Sequence, residues 1–342
     1  MPLPGYEPFL ATILDRPAED GPRLVYADWL EEQGDADRAE FIRVQIELAR
    51  LPDDDPRHDR LTDRETSLRE RHGEAWRAEI PEWARKGCDF GRGFLEHIIV
   101  WRDWRRDYGG ALSAAAPVIK LTLQNVDDVV ATFSPHPNVR WLSELVVLDD
   151  QMSYDGLMKL VNPRSVVASL KALRFMGLGS NFGDTGVNIL CLAEGLTNLE
   201  HLELNRCAVP ARGVQRLTDP DELNYLTKLR RLDLTDNNLE SDRVWTLTHS
   251  EFAKRLTHLT LNNNEITNDG AQAIVESPYL DNLTHLELDD NHIGDQAAIM
   301  LAERFSRLTR LSLARNLLTN AGAQRLRTAM GPRARVTPLA AH

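Results

Sequence analysis

Leu256–Ile266 reads LTHLTLNNNEI and Leu283–Ile293 reads LTHLELDDNHI, the same leucines with different letters between them. Three further segments fit L-x-x-L-x-L-x-x-N/C-x-L/I/V: LEHLELNRCAV from Leu199, LRRLDLTDNNL from Leu229 and LTRLSLARNLL from Leu308. Looser copies precede them, with Leu95 leading in FLEHIIVW, then VIKLTLQNV from Val118, LSELVVLDDQM from Leu142 and LKALRFMGL from Leu170. Starts at 142, 170, 199, 229, 256, 283 and 308 lie 28, 29, 30, 27, 27 and 25 residues apart, room for one strand, one turn and one short helix. A fixed period of this size is the signature of a stacked repeat architecture.

The alternation L-x-L in an extended chain sends the leucines to one face and the intervening residues to the other. The asparagine after each strand, or Cys207 in its place, is positioned to satisfy loop backbone groups that are costly to bury unpaired. TNDGAQAIVES and TNAGAQRLRTAM then set apolar residues at helical spacing behind a Thr-Asn start suited to capping. The leucines are therefore core, and the variable letters are surface.

On these motifs the sequence resembles the leucine-rich repeat family, in its longer ribonuclease-inhibitor-like class, over about residues 93 to 336. LKALRFMGLGSN departs most, with Leu178 where asparagine is expected and Asn181 three places late. The resemblance implies an α/β solenoid with a parallel β-sheet on its concave side and helices on its convex side. The expected organisation is an α-helical cap at 1–90, a solenoid of about nine repeats at 91–336 and a short tail at 337–342.

Upstream, GYEPFLATILDR, DGPRLVYADWLEEQGD and DADRAEFIRVQIELARL predict three amphipathic helices, and PDDDPRHDRLTDRETSLRERHGEAW a fourth. PRLVYADWLEEQGDADRAEFIRVQ, Pro22 to Gln45, resembles the short helical companion domain that precedes repeat arrays in some bacterial proteins. That likeness implies a bacterial source and a cap for the first repeat, because a solenoid end must be covered. A second docking module is the competing reading of this segment.

Forty basic against 52 acidic side chains leave a net charge of -12, which disfavours nucleic acid. No apolar run reaches the ~18 residues of a membrane span. The opening MPLPGYEPFLATILDRP lacks a basic n-region and a cleavage site. Three scattered cysteines, Cys88, Cys191 and Cys207, build neither a disulfide framework nor a zinc cage, so a cytoplasmic protein is expected. No metalloprotease, Walker, serine-hydrolase or paired-cysteine motif occurs. No catalytic residue, cofactor or metal is therefore expected, although His201, His258 and His285 share one column.

The third, fifth and seventh positions of each strand motif should stack into columns on the concave face. The third runs His97, Lys120, Glu144, Ala172, His201, Arg231, His258, His285, Arg310, and the fifth Ile99, Thr122, Val146, Arg174, Glu203, Asp233, Thr260, Glu287, Ser312. Along the seventh stand Trp101, Gln124, Leu148, Met176, Asn205, Thr235, Asn262, Asp289 and Ala314. An apolar end (Trp101, Val146, Leu148, Met176) beside an acidic end (Glu203, Asp233, Glu287, Asp289), with His258 between the carboxylates, predicts a surface that docks another protein. The acidic end would steer a basic partner. The expected function is a non-enzymatic protein-binding scaffold. The alternatives are an inhibitor that occludes a basic enzyme, or a ligase-like subunit with its chemistry in the N-terminal region, where Cys88 would be the thiol to watch.

Overall fold

The computed structural model describes residues 3–51, 55–101, 111, 115–124, 142–148, 152–162, 166–219 and 222–337. The chain forms two compact units, one of residues 1–124 and 132–145 and the other of 125–131 and 146–342.

The first unit opens with four helices, α1 Glu7–Asp15, α2 Gly21–Glu32, α3 Ala36–Arg50 and α4 His58–Arg77, where the sequence places them. Asp35 starts α3 by accepting the Arg38 N–H at 3.2 Å, a capping bond that satisfies one of the orphan donors of the first turn. A turn of 3-10 helix, Glu82–Gly87, leads into β1 Cys88–Gly91, which pairs antiparallel with β2 Phe94–Trp101. The sequence reading had no strand before residue 91. β3 Lys120–Gln124 and β4 Glu144–Leu148 follow, with the division between units falling inside β4.

The helices are joined to this hairpin through one core. Ile13, Tyr26, Ala27, Leu30, Ala39, Ile42 and Ile46 bury against Phe94. The motif residue Arg23, wholly buried, donates to the Pro17 carbonyl at 2.8 Å and pairs with Glu96 of β2. The other motif arginine, Arg38, sits 4.6 Å from the Trp76 ring centroid, with Phe41, Phe90 and Phe94 within 5.9 Å, and pairs with Glu79. Gly93 takes φ +88°, and a side chain there would meet Ile42, so its N–H comes close enough to donate to Gln45 Oε1 at 2.7 Å. The Pro22–Gln45 string thus supplies contacts to the first repeat strand.

In the second unit, strands β5 Ala172–Met176, β6 His201–Asn205, β7 Arg231–Asp233, β8 His258–Thr260, β9 His285–Glu287 and β10 Arg310–Ser312 neighbour one another in chain order. All are parallel, in the register of the predicted columns: Ala172, His201, Arg231, His258, His285 and Arg310 are successive partners. Between strands come α5 Tyr154–Leu160, α6 Gly183–Cys191, α7 Ala211–Thr218, α8 Ser241–Thr248, α9 Asn268–Glu276, α10 Asp295–Arg304 and α11 Asn320–Met330. Thr267 and Thr319 cap α9 and α11 as their sequence implies. A short strand, β11 Ala334–Arg335, pairs with β10 and covers the last repeat.

Burial follows the alternation: Leu202, Leu204, Leu232, Leu234, Leu259, Leu261, Leu286 and Leu288 are at most 1% exposed. Behind the strands runs a ladder of buried amides. Asn237 Nδ2 donates to the Leu204 carbonyl of the preceding repeat at 2.6 Å, while its Oδ1 accepts from Cys207 N and Val209 N. Asn264, Asn291 and Asn316 repeat the pattern one rung on each time. Cys207 takes the same place with a thiol, donating towards the Phe175 and Asn205 carbonyls at 3.6 and 3.5 Å.

The departure at Leu178 also resolves into the same pattern. Most rungs lie between left-handed residues, Asp236 and Asn238 around Asn237, Asn263 and Glu265 around Asn264, and Arg206 and Ala208 around Cys207. Gly177 and Gly179 hold φ +85° and +53° around buried Leu178, so glycine supplies the same backbone without strain. The GLGSNFG stretch is that loop.

Candidate functional site

The candidate site is the sheet face that carries the odd motif positions, the face away from the leucine core. In the first unit, β2 and β3 pair His97 with Lys120, Ile99 with Thr122 and Trp101 with Gln124, as the columns require. Ile99 is half-buried because the backbone at Gly87 lies against it; a side chain at Gly87 would come within 2.8 Å of the Ile99 side chain. His97 Nε2 lies 2.8 Å from the Thr122 hydroxyl, and burial, then Lys120, holds its pKa below the ordinary imidazole value. The Trp101 side chain lies outside the described residues.

The apolar anchors divide. Val146 is 6% exposed and offers no docking surface, which corrects its place among the candidates: it is packed as core. Leu148 is half-buried, and Met176 is 40% exposed.

The carboxylates expected to form an acidic end are engaged within the protein. Glu203 lies 3.0 Å from both Arg174 Nε and His201 Nε2, and Glu287 3.1 Å from Arg310 Nε. Asp233 accepts from Thr235 N at 2.8 Å and Thr235 Oγ1 at 2.6 Å, yet its burial pushes the carboxyl above its usual range. Asp289 is 6% exposed; it accepts from Ser312 Oγ at 2.6 Å and Ala314 N at 2.8 Å. Asp289 is therefore an interior acceptor, a second correction. These pairings remove the free carboxylates on which the expectation of a basic partner rested.

The third column behaves differently. His258 and His285 stack with ring centroids 4.0 Å apart and planes 8° apart. Each Nδ1 lies 2.9 Å from the hydroxyl of the preceding residue, Thr257 or Thr284. Those hydroxyls donate their single proton to the Arg230 and Thr257 carbonyls, so each Nδ1 carries the hydrogen and each Nε2 is left as an acceptor. Burial, then His285, Arg231 and His201, pulls the His258 pKa down to about 4. His285 is lowered by burial, then by Arg231 and Arg310. Both rings are neutral near pH 7. Arg231, between His201 and His258, is exposed and makes no ion pair among the described residues.

Among the described residues no cluster of three or more ligand-type side chains could hold a metal, and no helix is long and apolar enough to cross a membrane. A cleft of about 330 Å³ opens between α6 and α7, but Asp184, Asp219 and Glu222 face Arg212 and Arg216 in it. Arg216 is already bonded to Asn188 and to the Leu223 carbonyl. Cys88 donates to the Arg85 carbonyl at 3.1 Å, and burial raises its pKa despite nearby Arg77. A maleimide probe is expected to label Cys88 more slowly at pH 7 than it labels free cysteine, with the rate climbing only in alkaline buffer. Fast labelling at pH 7 would mark an activated thiolate and revive a ligase-like chemistry.

The leucine rich repeat family model matches residues 225–242, 255–275 and 280–302, three successive rungs of the ladder. These segments are leucine-rich repeats. Solved structures to which the chain is similar include a chain of the yeast Rad7 and Elc1 complex, 15% identical over 90% of this chain and 82% of that one, with a TM-score of 0.48. A Bacteroides fragilis protein is 12% identical over 81% and 83% of the two chains, at a TM-score of 0.44. An internalin of Listeria monocytogenes is 18% identical over 71% and 82%, at 0.34. No curated protein matches the chain. The leucine-rich repeats before residue 225 are legible through strand register and ladder position, not through the family model.

Proposed function

We propose that this leucine-rich repeat protein is a binding scaffold that docks another protein on the open face of its sheet. One observation carries the reading: from β5 to β10 the interior positions stay buried leucine or phenylalanine, while no two adjacent strands present the same pair of residues in register on the opposite face. A prebuilt sheet loses little conformational entropy when a partner docks, so rigid presentation converts contact area into affinity efficiently. Standard interfaces bury ~800 Å² per side, which takes several strands at ~4.8 Å spacing. Met176 and Leu148 supply apolar contact, and Glu203, Asp233, His258 and Glu287 the polar surround. An inhibitor of a basic enzyme would need the carboxylates that are now seen to be internally paired.

Affinity capture followed by quantitative mass spectrometry tests this. A Met176→Ala, Thr260→Trp variant, which trims the anchor and places bulk in mid-sheet without changing charge, is expected to lose at least about tenfold of the captured protein, about 1.4 kcal/mol. Trp245→Ala, on the outer helix α8 where Trp245 is 54% exposed, should capture as the native chain does. Circular dichroism checks that both fold. Loss through Trp245 and not through the sheet would move the docking surface to the helices.

A further inference from the structure

Resting on the open-face reading, we infer that the third-position column from His201 to Arg310 is a seat for an acidic segment of the partner protein, with Arg231 as its exposed cation. Five successive strands place His201, Arg231, His258, His285 and Arg310 side by side in backbone register, and no carboxylate interrupts the column. Among the described residues none of the carboxylates of the adjoining column is ion-paired with Arg231. Glu203 is held by Arg174 and His201, Glu287 by Arg310, and Asp233 by Thr235. Arg231 alone among these cations is exposed and without an ion pair among the described residues, and its planar fork of donors matches a carboxylate in two-point geometry.

The span fits a peptide. From Arg231 to Arg310 is three strand spacings, ~14 Å, and an extended chain advances ~6.7 Å for every two residues on one face. Two to three acidic side chains at alternating positions would meet Arg231, the histidine pair and Arg310 in turn. At neutral pH the stacked histidines offer two Nε2 acceptors and no charge, so the arginines carry the attraction. The sign of the pH effect follows. His258 and His285 have depressed pKa values, with Arg231, His201 and Arg310 opposing their protonation and Glu287 favouring it. A bound carboxylate favours the protonated rings, so affinity for an acidic peptide should rise as pH falls from 7 towards 5, while glutamate stays ionised above ~4.3.

The experiment uses the full chain and fluorescence anisotropy at low salt with three labelled probes of equal length: alternating Glu-Ala, alternating Lys-Ala and an oligothymidylate. The Glu-Ala peptide is expected to bind at least tenfold more tightly than Lys-Ala, and Arg231→Glu to remove at least tenfold of that affinity. Arg212→Glu, exposed on outer helix α7, should leave it unchanged. His258→Gln with His285→Gln should flatten the rise towards pH 5. Equal binding of the two peptides, or equal loss in the Arg212 and Arg231 variants, overturns the inference. Tighter, Arg231-dependent binding of the oligothymidylate overturns it in favour of a nucleic acid. If the sheet variant of the previous section loses its captured protein while Arg231→Glu keeps it, the open-face reading stands and this one falls. If Glu-Ala binding depends on Arg231 but capture ignores the sheet variant, the open-face reading falls.

Discussion

Asn264→Ala is expected to destabilise the repeat array by about 4 kcal/mol, because orphaned buried groups cost about 1–3 kcal/mol each. Asn264 is fully buried, and its Nδ2 donates to the Leu234 and Asn262 carbonyls at 2.8 and 3.0 Å. Its Oδ1 accepts from Asn237 N at 2.9 Å and Leu239 N at 3.1 Å. Alanine removes the one acceptor that both N–H groups share. The Leu234 carbonyl suffers less, since Asn237 Nδ2 also reaches it at 2.9 Å. Urea unfolding followed by circular dichroism measures the loss as a lowered midpoint. Two controls sharpen it. Asn263→Ala, next door but exposed and left-handed at φ 51°, should cost only about 1 kcal/mol. Asn264→Cys should fall between, since Cys207 shows that a thiol can hold one rung. Equal losses at 263 and 264 would mean that the ladder is ornament and that the leucines alone hold the stack.

The same ladder explains how much of the molecule was legible in its letters. A leucine in a parallel strand has one place to go, and nine strand starts were readable because the pattern is enforced by burial on one side of every strand. The register through Leu95 and Val118, where the motif is weakest, follows from His97 pairing with Lys120. The loop at Leu178 was misleading because the motif names side chains, while the physical requirement there is a left-handed backbone on either side of the rung. Two glycines meet it as well as an asparagine neighbour does. β1 was invisible because CDFG is too short for an alternation to declare itself, and its pairing with β2 is antiparallel, outside the repeat logic.

The candidate site was legible in position but not in state. Column membership is a matter of counting residues, and the count holds for every strand pair from β5 to β10. Whether a carboxylate in a column is free depends on its neighbours across the sheet and along the loop. Glu203 and Arg174 lie 29 residues apart in sequence, and the pairing of Asp289 with Ser312 crosses one whole repeat. Only the lateral contacts show that these carboxylates are hydrogen-bonded or ion-paired within the protein and that Arg231 is exposed without an ion pair among the described residues.

A second large effect lies at the helical end of the first unit. Glu96→Leu is expected to cost about 3–5 kcal/mol, because it leaves the Arg23 charge buried without its carboxylate, and Arg23→Leu about 1–3 kcal/mol, because Arg92 still reaches Glu96 at 2.8 Å. Arg23 is wholly buried and Glu96 nearly so, and burial drives both away from their charged forms, lowering the Arg23 pKa to about 10 and raising that of Glu96. Desolvation is the largest influence on each, so the pair holds its geometry at a cost that an apolar pair of similar volume would avoid. The double variant should therefore lose far less than the sum of the singles, about 1–2 kcal/mol in all, with Arg92 keeping Asp20 at 3.4 Å when Glu96 is gone. The four-point cycle is read from urea midpoints of the full chain. Additive losses would show that the two side chains act independently and that the arginine of the Pro22–Gln45 string is held in place by something other than Glu96. Strong non-additivity would show that the string and the first repeat strand are one electrostatic unit, in which the repeat array cannot lose its helical cap without exposing an unpaired charge.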